Sequence, residues 1–141
     1  MLDVKTEIIQ IPTKGFTDII DITPHLTEFV NECGFSEGQL SVFVPGSTAG
    51  LTHIEYEPGL LRDLPELLER LIPSNKTYHH DDTWHDGNGY AHLRSALIKS
   101  HMTFPFYEQQ LILGTWQQII LVDFDNRPRQ RKLVLQAMGK K

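Results

Sequence analysis

The order in which two hydrophobic periods occur limits what this chain can fold into. Strand-like runs rich in β-branched residues come first, two helical stripes follow in the middle, and the last third returns to strands. "TEIIQI" reads as a first strand closed by Pro12, and "GFTDIIDI" as a second. The intervening "PTKG" is a turn, so these two strands are expected to pair as a hairpin. "TPHLTEFVNECG" then has the marks of a helix. Thr23 suits the N-cap, Pro24 the first helical position and Gly34 the stop. Leu26, Phe29, Val30 and Cys33 form its apolar face, and His25 lies off that face as an exposed residue.

"QLSVFVP" and "GLTHIEYE" read as strands flanking a "GSTAG" loop. "PGLLRDLPELLERLIP" keeps a leucine stripe at Leu60, Leu61, Leu64, Leu67, Leu68 and Leu71, which reads as core packing. Pro65 removes a backbone donor there, and the unbroken stripe favours one kinked helix over a restart at Asp63. "AHLRSALI" reads as a short helix or turn. "MTFPFY", "QLILGTWQQIILVDF" and "RKLVLQ" read as three strands, with Gly114 bending the long second one. Pro105 suggests an edge or bulged position. The whole predicts one α+β domain over residues 1–141, with a largely antiparallel sheet and two main helices.

Charge narrows the partners. Thirteen basic against eighteen acidic side chains give a net charge of −5, which argues against the basic stripe that nucleic-acid binding needs. The single cysteine, Cys33, rules out an internal disulfide and a cysteine-based zinc site, and its place on a helical stripe reads as buried. Neither a signal peptide nor an apolar run of the ~20 residues a membrane span needs is apparent, so a cytoplasmic protein with no membrane contact is expected.

Histidine is the oddity of composition. Four of the seven histidines fall in "YHHDDTWHDGNGYAH", residues 78–92, together with Asp81, Asp82 and Asp86. Imidazole and carboxylate together suit borderline divalent cations, zinc above all. Gly87 and Gly89 bracket Asn88 and would let the backbone bring His80, Asp86 and His92 toward one point. A solvated, turn-forming polar loop is the competing reading of the same residues. Trp84 inside it calls for something to pack against, either a ligand or a subunit neighbour. Elsewhere, Glu55 reads as an outward-facing strand charge by spacing alone. Ser47 and Thr48 offer hydroxyls that suit a phosphate or an oxyanion, without the lysine of a P-loop. Arg94 stands two residues past His92, in reach of an anion, while "RPRQRK" at 127–132 reads as a turn and a solvated strand edge.

"VFVPGSTAGLTHIEYEPGLLRDL", "YHHDDTWHDGNGYAHLRSAL" and "LILGTWQQIILVDFDNRPRQRKLVLQ" together resemble the YjbQ-like family, from about Leu40 to Gln136. That family is often labelled secondary thiamine-phosphate synthase. The resemblance implies a β-sandwich-like α+β subunit assembled as a homotrimer, acting on a small anionic or phosphorylated ligand with a divalent metal. It implies His80 and His92 as metal ligands and Glu55, Asp86 and Asn88 as catalytic candidates. Trp116 and Gln117 of "GTWQ" would lie near that site or at the subunit contact, and Ser47, Thr48 and Arg94 would meet the substrate. A non-catalytic homotrimeric module that binds a metal or small ligand is the alternative. Many family members carry histidine where Gly46 and Tyr90 stand here, leaving His53, His79 or His85 as replacement imidazoles.

Overall fold

A computed structural model describes residues Met1–Lys141. The elements run β1 (Asp3–Thr13), β2 (Asp18–Asp21), α1 (Thr23–Glu32), β3 (Glu37–Phe43), β4 (Ala49–Ile54), α2 (Pro58–Leu71), α3 (His79–Trp84), α4 (Gly89–Ile98), β5 (His101–Tyr107), β6 (Gln110–Leu111), β7 (Gln118–Asp123) and β8 (Arg129–Lys140). Every strand pairing is antiparallel. A five-stranded sheet runs β1-β8-β3-β5-β6, and a three-stranded sheet runs β2-β7-β4. This is the α+β, sandwich-like architecture expected.

The sheets stack through side chains that alternate along each strand. Leu133, Leu135 and Ala137 of β8, Leu40 and Val42 of β3, and Phe104 and Phe106 of β5 meet Leu51 of β4 and Ile119 and Leu121 of β7. The α1 stripe of Leu26, Phe29, Val30 and Cys33 joins the same core. The opposite face of β7 sends Ile120 and Val122, with Phe124 just beyond the strand, into a second core against Leu68 of α2 and Tyr90 and Ala91 of α4. Burial on both faces explains why this strand reads as continuous "IILV" rather than as an alternation. The fold is therefore three layers deep at β7: sheet, sheet, helices.

Several local expectations gave way to long-range pairing. β1 and β2 do not form a hairpin: β1 pairs with β8, β2 pairs with β7, and they lie in different sheets. Pro12 does not close β1, which runs on to Thr13 opposite Arg129. Ile22, not Thr23, is the N-cap of α1; the Thr23 hydroxyl instead accepts from the Ile119 N–H at 2.8 Å. The predicted long strand is two elements, because residues 112–117 leave the sheet between β6 and β7. β5 and β6 close over Glu108 and Gln109, which both have positive φ, as a two-residue hairpin turn requires. α2 is one helix through Pro65, with Glu57 as its N-cap, yet of its leucines only Leu68 is fully buried, while Leu67 and Leu71 are exposed. No helix is long and apolar enough to cross a membrane.

Candidate metal centre

The His/Asp stretch is not a loop. Residues 79–84 form α3, a left-handed His85 ends it, and after a short turn through Gly87 the chain enters α4 at Gly89. Asp81 ties the two helices together. Its Oδ2 accepts the Tyr78 N–H at 3.0 Å and its Oδ1 accepts the Gly89 N–H at 3.1 Å. The Tyr78 N–H, with help from Gly89, holds the Asp81 carboxyl below the usual carboxylate range. Gly89 is required for close approach rather than for an unusual φ. A Cβ there would stand 2.8 Å from the Cβ of Tyr78 and 3.3 Å from that of His80.

This junction draws the expected residues to one place. The His80 and His92 rings lie 4.3 Å apart between centroids, tilted by 38°. His80 Nδ1 is 3.7 Å from Asp81 Oδ1 and 3.7 Å from Asp86 Oδ1. Donor atoms of His80, Asp81 and Asp86 all lie within 4.8 Å of one another. Ligand atoms about 2.0–2.2 Å from a tetrahedral ion stand about 3.3–3.6 Å apart, so the set needs only small adjustments to take one. His80 Nδ1 is buried and has no hydrogen-bond partner. A buried imidazole nitrogen without a partner is costly, and a cation between it and two carboxylates removes that cost. His92 stacks on His80 and stays outside this three-residue set, and Asp81, which the sequence did not single out, stands inside it. Burial first, and then the neighbouring His80, lower the pKa of His92 below 6.5.

Beneath the helices lies a buried ionic network that the sequence did not disclose. Asp123 and Asp125 at the end of β7 are fully buried and face Arg129 and Arg131 at the start of β8. Arg131 grips Asp123 through Nε and Nη2, both at 2.8 Å, and its Nη2 also donates to Thr48 Oγ1 at 2.7 Å. Arg129 donates to Asp125 Oδ2 from Nε at 3.0 Å and from Nη2 at 2.6 Å. "RPRQRK" is thus not a solvated edge throughout: Arg131 is buried as a counter-ion. Burial would raise the Asp125 pKa, but donors on Asn88, Asn126, Arg129 and Thr48 outweigh it and hold it at about 2. Asn88 connects network and site, since its Nδ2 donates to Asp125 Oδ1 at 3.2 Å, while its Oδ1 is buried without a partner.

The other candidates divide by position. Ser47 lines a cleft beside His92, but the Thr48 hydroxyl is spent inside the network, donating to Asp125 Oδ2 at 3.0 Å. Arg94 is not available to an anion. It is almost wholly buried and donates to Glu69 Oε1, the Ile72 carbonyl and Thr17 Oγ1. Glu55, Trp116 and Gln117 gather at the far end of the three-stranded sheet, where Ile54 pairs with Gln118. The six residues of β4 separate that end from Ala49, about 20 Å at ~3.3 Å per residue, so within one chain they do not meet His80. His79, His85 and His53 are exposed and stand outside the His80 cluster, and Tyr90 is a core residue beneath the Arg94 guanidinium.

Comparison with known proteins agrees on kinship. The profile described as UPF0047 protein YjbQ-like matches residues 7–140. A UPF0047 protein of Archaeoglobus fulgidus is 37% identical over 121 residues, covering 86% of this chain and 91% of that protein. One of Methanothermobacter thermautotrophicus is 32% identical over 139 residues, covering 99% and 95%. Among solved structures, a YbjQ-like protein of unknown function from Sulfolobus solfataricus superposes with a TM-score of 0.93 at 28% identity, covering 99% of this chain and 100% of that one. An uncharacterised YjbQ/UPF0047 protein of Clostridium acetobutylicum gives 0.84 at 32% identity, covering 93% and 98%. By sequence along nearly its whole length and by fold, this chain belongs to the YjbQ-like UPF0047 family.

Proposed function

We propose that this protein is a metal-dependent enzyme acting on a small phosphorylated substrate. His80, Asp81 and Asp86 would hold a divalent ion, zinc before others because an imidazole is among the ligands, and His92 would stand against it. The observation that carries this reading is the buried, unpartnered Nδ1 of His80 facing two carboxylates. Such an ion supplies Lewis-acid stabilisation to a phosphoryl or diphosphate oxygen. The residues do the rest. Asp81 fixes the spacing of the two helices, Asn88 anchors the turn to Asp125, and neutral His92 can accept a proton at the substrate. Thiamine-phosphate synthase-like transfer, in which the methylene carbon of a pyrimidine methyl diphosphate bonds to the nitrogen of a thiazole phosphate as its bond to pyrophosphate breaks, is the specific form that the family resemblance suggests.

The test is elemental analysis of untagged protein, as wild type and as the His80→Ala/His92→Ala double variant, beside a turnover screen with phosphorylated small molecules. About one transition ion per chain, lost in the variant along with turnover, is the expected result. No bound metal after incubation with zinc, manganese or magnesium would refute the reading.

A second reading is favoured by the two tryptophans. Trp84 is 70% exposed and Trp116 is 72% exposed, unusual for so large an apolar ring unless a neighbour covers it. They suit a cytoplasmic homotrimer in which copies meet through these rings and the metal is structural. In that case His80→Ala would lower the stability of the assembly, read by light scattering and thermal melting, whereas an enzyme would lose turnover with its assembly intact.

A further inference from the structure

Beside His92, a cleft of about 610 Å³ opens between α4 and the Gly46–Ser47 loop. Its end is formed by the Lys99–Ser100–His101 link into β5. The volume suits a small molecule. Although the chain has eighteen acidic residues and a net charge of −5, not one carboxylate lines this cleft. Its charged and ionisable groups are one lysine and two histidines.

Lys99 holds a costly position. Its backbone sits at φ 81° and ψ 164°, a region occupied almost solely by glycine. Both sides of the residue are pinned there. Its N–H donates to the Ser95 carbonyl at 2.9 Å, closing α4, and its carbonyl accepts the Leu51 N–H at 2.9 Å. Glycine would meet these bonds without strain, so the lysine side chain is carried here at a backbone cost. That ammonium forms no ion pair within the protein. His101 beside it is fixed through Nε2, which lies 3.1 Å from Ser41 Oγ and 3.2 Å from Thr103 Oγ1. A hydroxyl donating to Nε2 leaves Nδ1 as the ring atom that can donate outward.

We infer that this cleft is a phosphate subsite. The Lys99 ammonium, His101 Nδ1 and the Ser47 hydroxyl would take the phosphate or diphosphate end of a substrate. The anion-binding claim rests on the cleft alone. Only its link to chemistry rests on the proposed function: His92 is the shared wall, so the held phosphate would lie beside the His80 cluster.

The experiment titrates inorganic phosphate and pyrophosphate into the full chain stripped of metal, followed by calorimetry and ³¹P line width, for wild type, Lys99→Gln and Lys99→Gly. Wild type should bind pyrophosphate more tightly than phosphate. Each variant should lose about tenfold in affinity, ~1.4 kcal/mol. Lys99→Gly should also melt about 3 °C or more higher as the backbone relaxes, showing that the lost affinity is not lost folding. A raised Tm with unchanged binding would make Lys99 merely strained and overturn the inference. Binding seen only once metal is restored, and equal in all three proteins, would also overturn it while leaving the metal-dependent reading standing. Failure of the His80/His92 metal analysis with phosphate binding intact would do the reverse.

Discussion

Gly89→Ala should separate α3 from α4 and take the candidate site apart. Two terms of opposite sign decide the outcome. Gly89 opens α4 and has no positive φ, so alanine would gain helix propensity, at most about 1 kcal/mol and less at a first position. Against this, the new methyl would stand 2.8 Å from the Tyr78 Cβ, 3.2 Å from Asp81 Oδ1 and 3.3 Å from the His80 Cβ. Two of these atoms are fixed to backbone and cannot swing aside, so overpacking of about 1–3 kcal/mol wins. The net loss is about 1–2 kcal/mol, a fall in Tm of about 3–8 °C. The displacement must also part the His80 and His92 rings. The His92 pKa, now below 6.5, should then move back toward that value, which NMR titration of the imidazoles reads without any metal. Gly34→Ala is the control. Its φ of +86° makes alanine costly, yet no atom lies within 4 Å of the new methyl, so stability should fall by about 1 kcal/mol with His92 unmoved. A Gly89→Ala protein as stable as wild type, with His92 unchanged, would refute the reasoning.

Acid should expose the buried network. Asp125 is held at about 2 against an ordinary 3.8, so its ionised form contributes on the order of 2–3 kcal/mol that is present above about pH 4 and lost as pH falls toward 2. Urea midpoints from pH 6 to pH 2 should decline less steeply in Asp125→Asn; an equal slope would place the acid sensitivity elsewhere. His92 works in the same sense from higher pH, because the folded state resists its protonation. His92→Gln should flatten the loss of stability as pH falls below about 6.5, and an unaltered profile would show that its depressed pKa costs folding nothing. Arg131→Met alone should cost about 3–5 kcal/mol by leaving Asp123 buried without its counter-ion, whereas Arg131→Met with Asp123→Leu should recover most of it in chemical denaturation.

How much of this was legible depends on the range of the interaction. The α1 stripe and the convergence of His80, Asp86 and His92 are set by neighbours a few residues away, and spacing discloses them. The expected β1–β2 hairpin failed because a plausible local turn says nothing of the better partner, β8, more than a hundred residues on. Asp123 with Asp125 and Arg129 with Arg131 do carry a signal: matched charges at period two on both arms of one turn. The segment reads as a turn and a solvated strand edge because period two alone does not say which face is buried. Glu55 and Trp116 were grouped with the histidines by resemblance, and only the direction of β4 and β7 reveals that they occupy the other end of the sheet. Lys99 was silent, since a glycine-like backbone angle leaves no mark on a sequence that has lysine there.

The pairing of β1 with β8, unbroken from Asp3↔Gly139 to Thr13↔Arg129, also governs the order of events in folding. On a ribosome, β1 must wait for β8. Until β8 appears, β1 has no neighbour in the five-stranded sheet and β3 lacks one of its two. Closing a loop of that length is slow, because its entropy is lost before any ladder bond repays it. Meanwhile β4, α2, α3 and α4 have already been made, and β7 follows before β8. The layer that carries the candidate site can assemble while the opposite sheet is still incomplete, leaving the apolar inner faces of β1 and β3 as the surfaces most in need of protection in a nascent chain.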